Sequence, residues 1–230
     1  MDSGDLKRIT VFAGHYGSGK TNIAVNTALG IRAQGKKTAI ADLDIVNPYF
    51  RTKDSAEILE RNSIRLISSQ YANTNVDTPA LPPEIYSVFE DKSTYAVIDV
   101  GGDDRGALAL GRYVPFIKAE DNVDMLFVIN KYRFLTRSPR ETLGVMREIE
   151  DAANIRFTGI VNNSNLGEET DENTVLSSVS YAEETADLAG LCVKMTTVKK
   201  ELYAPLKDKI ENLRPIELFV RQSWLREGGV

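Results

Sequence analysis

Short apolar runs rich in Val, Ile, Leu and Ala recur along the chain, separated by stretches whose apolar positions come at helical spacing. The runs at 8–13, 38–42, 64–67, 95–100, 125–130, 157–162 and 191–196 predict strands. Residues 20–34 predict a helix, with Ile23, Val25, Ala28, Leu29 and Ile31 apolar and Gly35 as its stop. Segments 106–119, 139–153, 171–189 and 200–212 predict further helices. Strand and helix in alternation predict an α/β fold, a mostly parallel sheet of seven or so strands with helices on both faces. The chain has 230 residues and shows no repeat, linker or low-complexity tract, so one nucleotide-sized α/β domain over 1–230 is expected.

In such sheets ligands bind at the carboxyl ends of strands, and the chemically suggestive residues gather there. Residues 14–21, Gly-His-Tyr-Gly-Ser-Gly-Lys-Thr, follow the first strand and match G-x-x-x-x-G-K-[ST], with an additional glycine at 17. The residue types suit a phosphate: Gly14, Gly17 and Gly19 permit positive φ and let successive backbone N–H groups, that of Ser18 among them, curl round it. The helix that follows, beginning at Lys20, Thr21 and Asn22, aims its positive end at the same group. Lys20 can reach the β- and γ-phosphates and the Thr21 hydroxyl can ligate Mg²⁺.

Two acidic segments lie at other strand ends. Asp42 and Asp44, spaced i and i+2, suit a hydrated Mg²⁺. The run 95–99 is an apolar strand ending in Asp99, the form of a Walker-B segment, and Gly101 and Gly102 extend it to D-x-x-G. The Gly102 amide is placed to sense a γ-phosphate and to move when it leaves.

On these segments the chain resembles the MinD/ParA (CobQ/CobB/MinD/ParA) group of P-loop ATPases. The resemblance runs from the first strand to about residue 163 and more loosely beyond. It implies that Asp44 positions the attacking water and that Asp42 and Asp99, with Thr21, hold Mg²⁺ largely through water. It also implies ATP as the nucleotide, Asn163 as an adenine contact, an ATP-driven face-to-face homodimer, and a partner protein that stimulates hydrolysis. The group commonly carries a signature lysine directly after its first P-loop glycine, and this chain has His15 there, its only histidine. Residues 44–48, Asp-Ile-Val-Asn-Pro, also lack the Pro-Gln that follows the acid in partitioning ATPases.

The run 130–133, Asn-Lys-Tyr-Arg, imitates the guanine motif N-K-x-D but ends in arginine where guanine recognition needs an acid, so ATP is favoured over GTP. Net charge is −5 without basic runs, which argues against nucleic acid as the main partner. The amino-terminal residues lack an apolar signal core and no apolar run reaches membrane-spanning length, so a cytoplasmic protein without a membrane partner is expected. Residues 215–225 have arginines around an apolar stretch, but the apolar positions nearly encircle a helix, and an element packed on the domain is expected rather than a membrane-lying one. The single cysteine, Cys192, in an apolar run, is expected to be buried packing. Arg105 and Arg112 and the loop-like segments 47–53 and 71–83 are candidates to meet a partner or substrate. Three functions remain open: a switch or assembly ATPase, a metabolic enzyme such as a dethiobiotin-synthetase-like ligase or small-molecule kinase, and a nucleotide sensor that does not hydrolyse.

Overall fold

Near-continuous apolar strands are needed when both faces of a parallel sheet are covered, and the strands here meet that condition. In a computed structural model, which describes residues 7–44, 53–68, 83–102 and 104–219, eight strands are present. They are β1 (Ile9–Ala13), β2 (Lys37–Leu43), β3 (Arg65–Ser68), β4 (Thr94–Val100), β5 (Val123–Ile129), β6 (Gly159–Asn162), β7 (Val193–Lys199) and β8 (Leu213–Ile216). Every pairing is parallel, in the order β3-β2-β4-β1-β5-β6-β7-β8.

Strand alternation divides the core in two. Ile9, Val11 and Ala13 of β1, Ile98 of β4 and Phe127 of β5 join one apolar cluster, while Phe12, Val97 and Val128 join the other. The second cluster is closed by α1 (Lys20–Ala33), through Ile23, Ala24, Ala28 and Ile31, and by Leu59 of α2 (Lys53–Arg61). The first is closed by α3 (Tyr86–Glu90), α4 (Asp104–Gly111), α5 (Val114–Lys118), α6 (Pro139–Ala153) and α8 (Val179–Ala189). Burying one such Ile or Phe contributes roughly 1.5–3 kcal/mol, so either face supplies far more than any single surface contact. The chain leaves β1 toward β2 on one side and later fills β5 to β8 on the other. That reversal places the switch point of the sheet at the carboxyl end of β1.

The seven predicted strands lie within three residues of the observed ends. Three predicted helices are shorter or divided, each for a visible reason. The one expected over 106–119 breaks between α4 and α5, because Pro115 has no N–H to donate to the Gly111 carbonyl. The one over 171–189 breaks between α7 (Glu172–Leu176) and α8, where the hydroxyls of Ser177 and Ser178 donate to the carbonyls of Thr174 and Val175 at 3.1 and 2.7 Å. The one over 200–212 stops as α9 (Lys200–Leu206), soon after Pro205. By contrast α6 matches its predicted span, fixed at its start by Ser138 and Glu141, which cap each other, a device worth about 1 kcal/mol.

Two expectations are corrected. Residues 213–216 form the eighth strand rather than part of a helical element; Pro215 is tolerated because β8 is an edge strand. Residues 220–225 of that expected element lie outside the described residues, as do 47–52, 71–82 and the side chains of Lys53 and Arg105. Cys192 is exposed, not buried: it precedes β7 at the amino end of the sheet, its carbonyl accepting from Ile160 N–H at 2.9 Å. Among the described residues no helix is long and apolar enough to cross a membrane.

Arg8 ties the opening of β1 to the start of β4 and to the turn before β5. Its guanidinium pairs with Glu120 and donates to the carbonyls of Val88 and Thr94 at 2.7 and 3.0 Å. Hydrogen bonding from Arg8, helped by Lys92, holds the Glu120 carboxyl down at about 2. A carboxyl depressed in the folded state stabilises it above the ordinary carboxylate pKa and loses that contribution as pH falls toward 2. Glu120→Gln should therefore lower stability at pH 7 by about 2 kcal/mol and flatten the acid limb of the stability curve below pH ~4.5. Urea unfolding of both proteins from pH 7 to 3 checks this.

Candidate functional site

At the switch point β1 ends in Ala13 and the chain turns through 14–19 before α1 begins at Lys20. The loop closes on itself through Ser18 N–H, which donates to the His15 carbonyl at 3.2 Å. Gly14, Gly17 and Gly19 take φ of 151, 76 and 88°. At Gly19 the need is also steric, since a Cβ would stand 2.2 Å from Asn163 Nδ2. No side chain caps the first turn of α1, so its leading amides and the loop amides converge on one concavity suited to an anion. Lys20 is only 7% exposed, and its Nζ donates to the His15 carbonyl at 3.2 Å. An ammonium so close to a glycine-rich loop supplies the positive charge that phosphate oxygens need.

Two strand ends bring the carboxylates to this loop. Asp42 and Asp99 are register partners on β2 and β4. By alternation they share the α1 face with Ile40 and Val97. Thr21 Oγ1 donates to Asp99 Oδ2 at 2.6 Å, and Asp44 N–H donates to Asp42 Oδ1 at 2.9 Å. Burial, and then the neighbouring Asp42 charge, push the Asp99 carboxyl up to about 7, against smaller opposing effects of Lys20 and the Thr21 hydroxyl. Asp44 lies beside Gly101, within 3.2 Å of where a Cβ there would be. Gly102 packs directly on the loop: a Cβ would sit 2.5 Å from Tyr16 N and 3.0 Å from His15 C. Residues read from separate parts of the sequence, Gly14 to Asn22, Asp42, Asp44, Asp99 and Gly102, thus meet in one place.

Two buried oxygens test whether this arrangement fits a divalent cation and phosphate. Asp99 Oδ1 and Ser18 Oγ have no hydrogen-bond partner among the described residues, an expensive state for buried oxygens. Among the described residues no three His, Cys, Asp or Glu side chains form a metal cage. A hydrated Mg²⁺ requires none, since it takes one or two carboxylates, a hydroxyl and phosphate oxygens. Asp99, Thr21 and Asp42 fit that donor set.

The loop opens into a cavity of about 390 Å³. Its lining includes Lys20, Thr21 and Asp44, the apolar Val175, Val198, Ile216 and Leu218, and the polar Glu168, Thr170 and Lys199. Asn163 lines it as well. It is 5% exposed, its Nδ2 donates to the Ser18 carbonyl at 2.6 Å, and its Oδ1 accepts from Thr197 Oγ1 at 2.6 Å. The Asn163 amide thus braces the phosphate loop, and its second N–H and second oxygen lone pair are left for a ligand in the cavity that it lines. His15 Nδ1 is likewise paired with the Tyr16 carbonyl, at 2.9 Å. Asn22 lines the cavity, and its Oδ1 accepts from Phe219 N–H at 2.9 Å.

The sequence reading passed over Arg133, set aside with the imperfect guanine motif. Its Nε donates to the Gly17 carbonyl at 2.9 Å, and it lines the same cavity. Asn130 of that run is 1% exposed and holds the following loop, its Oδ1 accepting from Tyr132 N–H at 3.0 Å and from Asn165 N–H at 3.3 Å. The signal was available: β5 neighbours β1, so the residues after β5 emerge beside the phosphate loop. Arg112 lies away from the cavity lining.

No protein-family model and no curated protein sequence matches the chain. Solved structures do resemble it. Cell division protein ftsY from Thermotoga maritima is 18% identical, with a TM-score of 0.53, over 94% of this chain and 67% of that one. FtsY from Mycoplasma mycoides is 18% identical, with a TM-score of 0.53, over 86% and 61%. Signal recognition particle 54 kDa protein from Aeropyrum pernix K1, in complex with GDP, is 14% identical, with a TM-score of 0.52, over 85% and 42%. The chain spans about three fifths of the M. mycoides protein and less of the A. pernix one. At these identities the likeness bears on architecture alone: the chain shares the α/β fold of these structures, a parallel sheet covered by helices.

Proposed function

We propose that the protein is a Mg²⁺-dependent switch or assembly ATPase, akin to the MinD/ParA group, that hydrolyses ATP and acts with a partner protein. The observation that carries the reading is the buried Asp99 carboxylate, whose Oδ2 accepts from Thr21 Oγ1 while its Oδ1 has no partner among the described residues. In this reading the loop amides and Lys20 bind the β- and γ-phosphates, and Thr21, Asp42 and Asp99 hold Mg²⁺. Bound there, Mg²⁺ neutralises charge on the β- and γ-oxygens. Asp44 orients the water that attacks the γ-phosphorus in line, while Lys20 and the Arg133 guanidinium stabilise charge developing on the leaving and equatorial oxygens. The Gly102 amide senses the γ-phosphate, and departure of that group releases the segment from it, which is the switch. ATP-driven pairing of two copies belongs to the same reading, and a mass measurement with and without nucleotide tests it.

GTP is the second reading. One structural neighbour holds GDP, and the Glu168 carboxylate, which could accept from a guanine edge, lines the cavity. Glu168 is however paired with Lys199 at 3.3 Å, and Arg133 is turned to the phosphate loop, so ATP is preferred.

Phosphate release with Mg²⁺ and either ATP or GTP, alone and with a metabolite pool, tests the proposal. Asp44→Ala should retain nucleotide affinity within about threefold while hydrolysis falls on the order of 10²-fold or more. Release that appears only with metabolites would transfer the assignment to a kinase or ligase. Binding without turnover under any condition would make the protein a sensor.

A further inference from the structure

The carboxyl-terminal stretch after β8 crosses the face of α1 one turn beyond the phosphate loop. Asn26 grips it as a second strand would: its Nδ2 donates to the Glu217 carbonyl at 2.8 Å and its Oδ1 accepts from Glu217 N–H at 2.9 Å. Asn22 Oδ1 accepts from Phe219 N–H at 2.9 Å, and Asn26 Nδ2 also reaches the Asn22 carbonyl at 2.7 Å. Lys200 at the start of α9 pairs with the Glu217 carboxylate, and Phe219 packs against the core cluster beneath α1. Residues 217–219 are thus fastened at both ends, and Leu218 between them, 41% exposed, faces the same cavity as Lys20 and Thr21.

The geometry points to residues 217–219 as a strap that forms the nucleoside wall of the site, with Leu218 as a contact for the base or ribose and Asn26 as the residue that positions it. The inference rests on the proposed nucleotide function and extends it to the half of the ligand that the phosphate loop does not touch. The cavity lining carries a lysine, a hydroxyl and a carboxylate in Lys20, Thr21 and Asp44. Away from the phosphate loop it adds the apolar side chains of Val175, Val198, Ile216 and Leu218 among polar ones such as Glu168 and Lys199. A purine face is the part of a nucleotide that apolar side chains can cover. Asn163 lines the same cavity with its amide held by Ser18 and Thr197, and the strap completes the wall beside it with an apolar side chain. One helix, α1, carries both Thr21 at the phosphates and the two asparagines at the strap. Nucleoside and triphosphate are therefore held by a single rigid element, and the strap's placement is tied to the phosphate loop through one turn of backbone.

The test compares two ligands on the full chain: ATP, and inorganic tripolyphosphate, which presents the phosphates with no nucleoside. Equilibrium binding in Mg²⁺ is measured for the wild type, Leu218→Gly and Asn26→Ala. Leu218 is partly exposed, so its variant should fold even if Asn26→Ala does not. Both variants should weaken ATP about tenfold and leave tripolyphosphate within about twofold, collapsing the preference for the nucleotide. Equal losses on both ligands would reduce the strap to general support of α1, and unchanged ATP affinity in Leu218→Gly would remove it from the site; either result overturns the inference while leaving the nucleotide function standing. A wild type that binds neither ligand would overturn both.

Discussion

Lys20→Ala should abolish nucleotide turnover, lowering the rate of phosphate release by a factor on the order of 10²–10³ and weakening nucleotide affinity as well. Lys20 is almost entirely enclosed, and its ammonium sits over the concavity formed by the loop and the start of α1. In a site shielded from water a fixed charge is worth several times its value on a surface, and the other lysine lining the cavity, Lys199, is paired with Glu168. Its ammonium donates to the His15 carbonyl at 3.2 Å, which can turn to water when the side chain is shortened, so the variant should fold. Unchanged secondary structure and melting temperature, measured beside the lost activity, would separate a chemical role from a structural one.

Gly102→Ala is the second large effect, and it acts through shape alone. A Cβ at 102 would stand 2.5 Å from Tyr16 N and 2.7 Å from Tyr16 Cα, well inside contact distance and against backbone that has no rotamer to turn aside. Either the segment after β4 or the tip of the phosphate loop must move by about an ångström. Displacement of that size at a reacting centre costs on the order of 10²-fold in rate, whereas phosphate binding along the α1 side of the loop should survive. The expected variant therefore binds nucleotide within about tenfold of the wild type yet hydrolyses it on the order of 10²-fold more slowly. Binding by calorimetry set against phosphate release reads the two separately, and equal losses in both would show that Gly102 supports the loop without switching.

Much of this was legible because the physics is local. A buried parallel strand must be apolar on both faces, so runs such as 95–100 announce themselves, and a turn that wraps a phosphate must contain glycines. The acids at 42 and 99 stood out because each closes an apolar strand, and their separate positions in the sequence become one pair when β2 and β4 adjoin. What escaped depends on strand order or on a competing bond. Arg133 belongs to the site only because β5 neighbours β1. The bracing of the Asn163 amide by Ser18 and Thr197 escaped too, since Thr197 is supplied by a strand far along the chain. Cys192 lies in an apolar run yet at an uncovered strand start. Leu218 reaches the cavity through asparagines nearly two hundred residues earlier, as sequence separations of 191 and 197 for the strap bonds record. No periodicity encodes that.

The central claim is that the site formed by Lys20, Thr21, Asp42 and Asp99 binds a nucleoside triphosphate together with Mg²⁺. Titration of the protein with a non-hydrolysable ATP analogue, with and without Mg²⁺, tests it most directly. The account predicts saturable binding of one nucleotide per chain, tightened by Mg²⁺ in the wild type, with that tightening lost in Asp99→Asn. Absence of binding up to millimolar concentrations of either the ATP or the GTP analogue would contradict it.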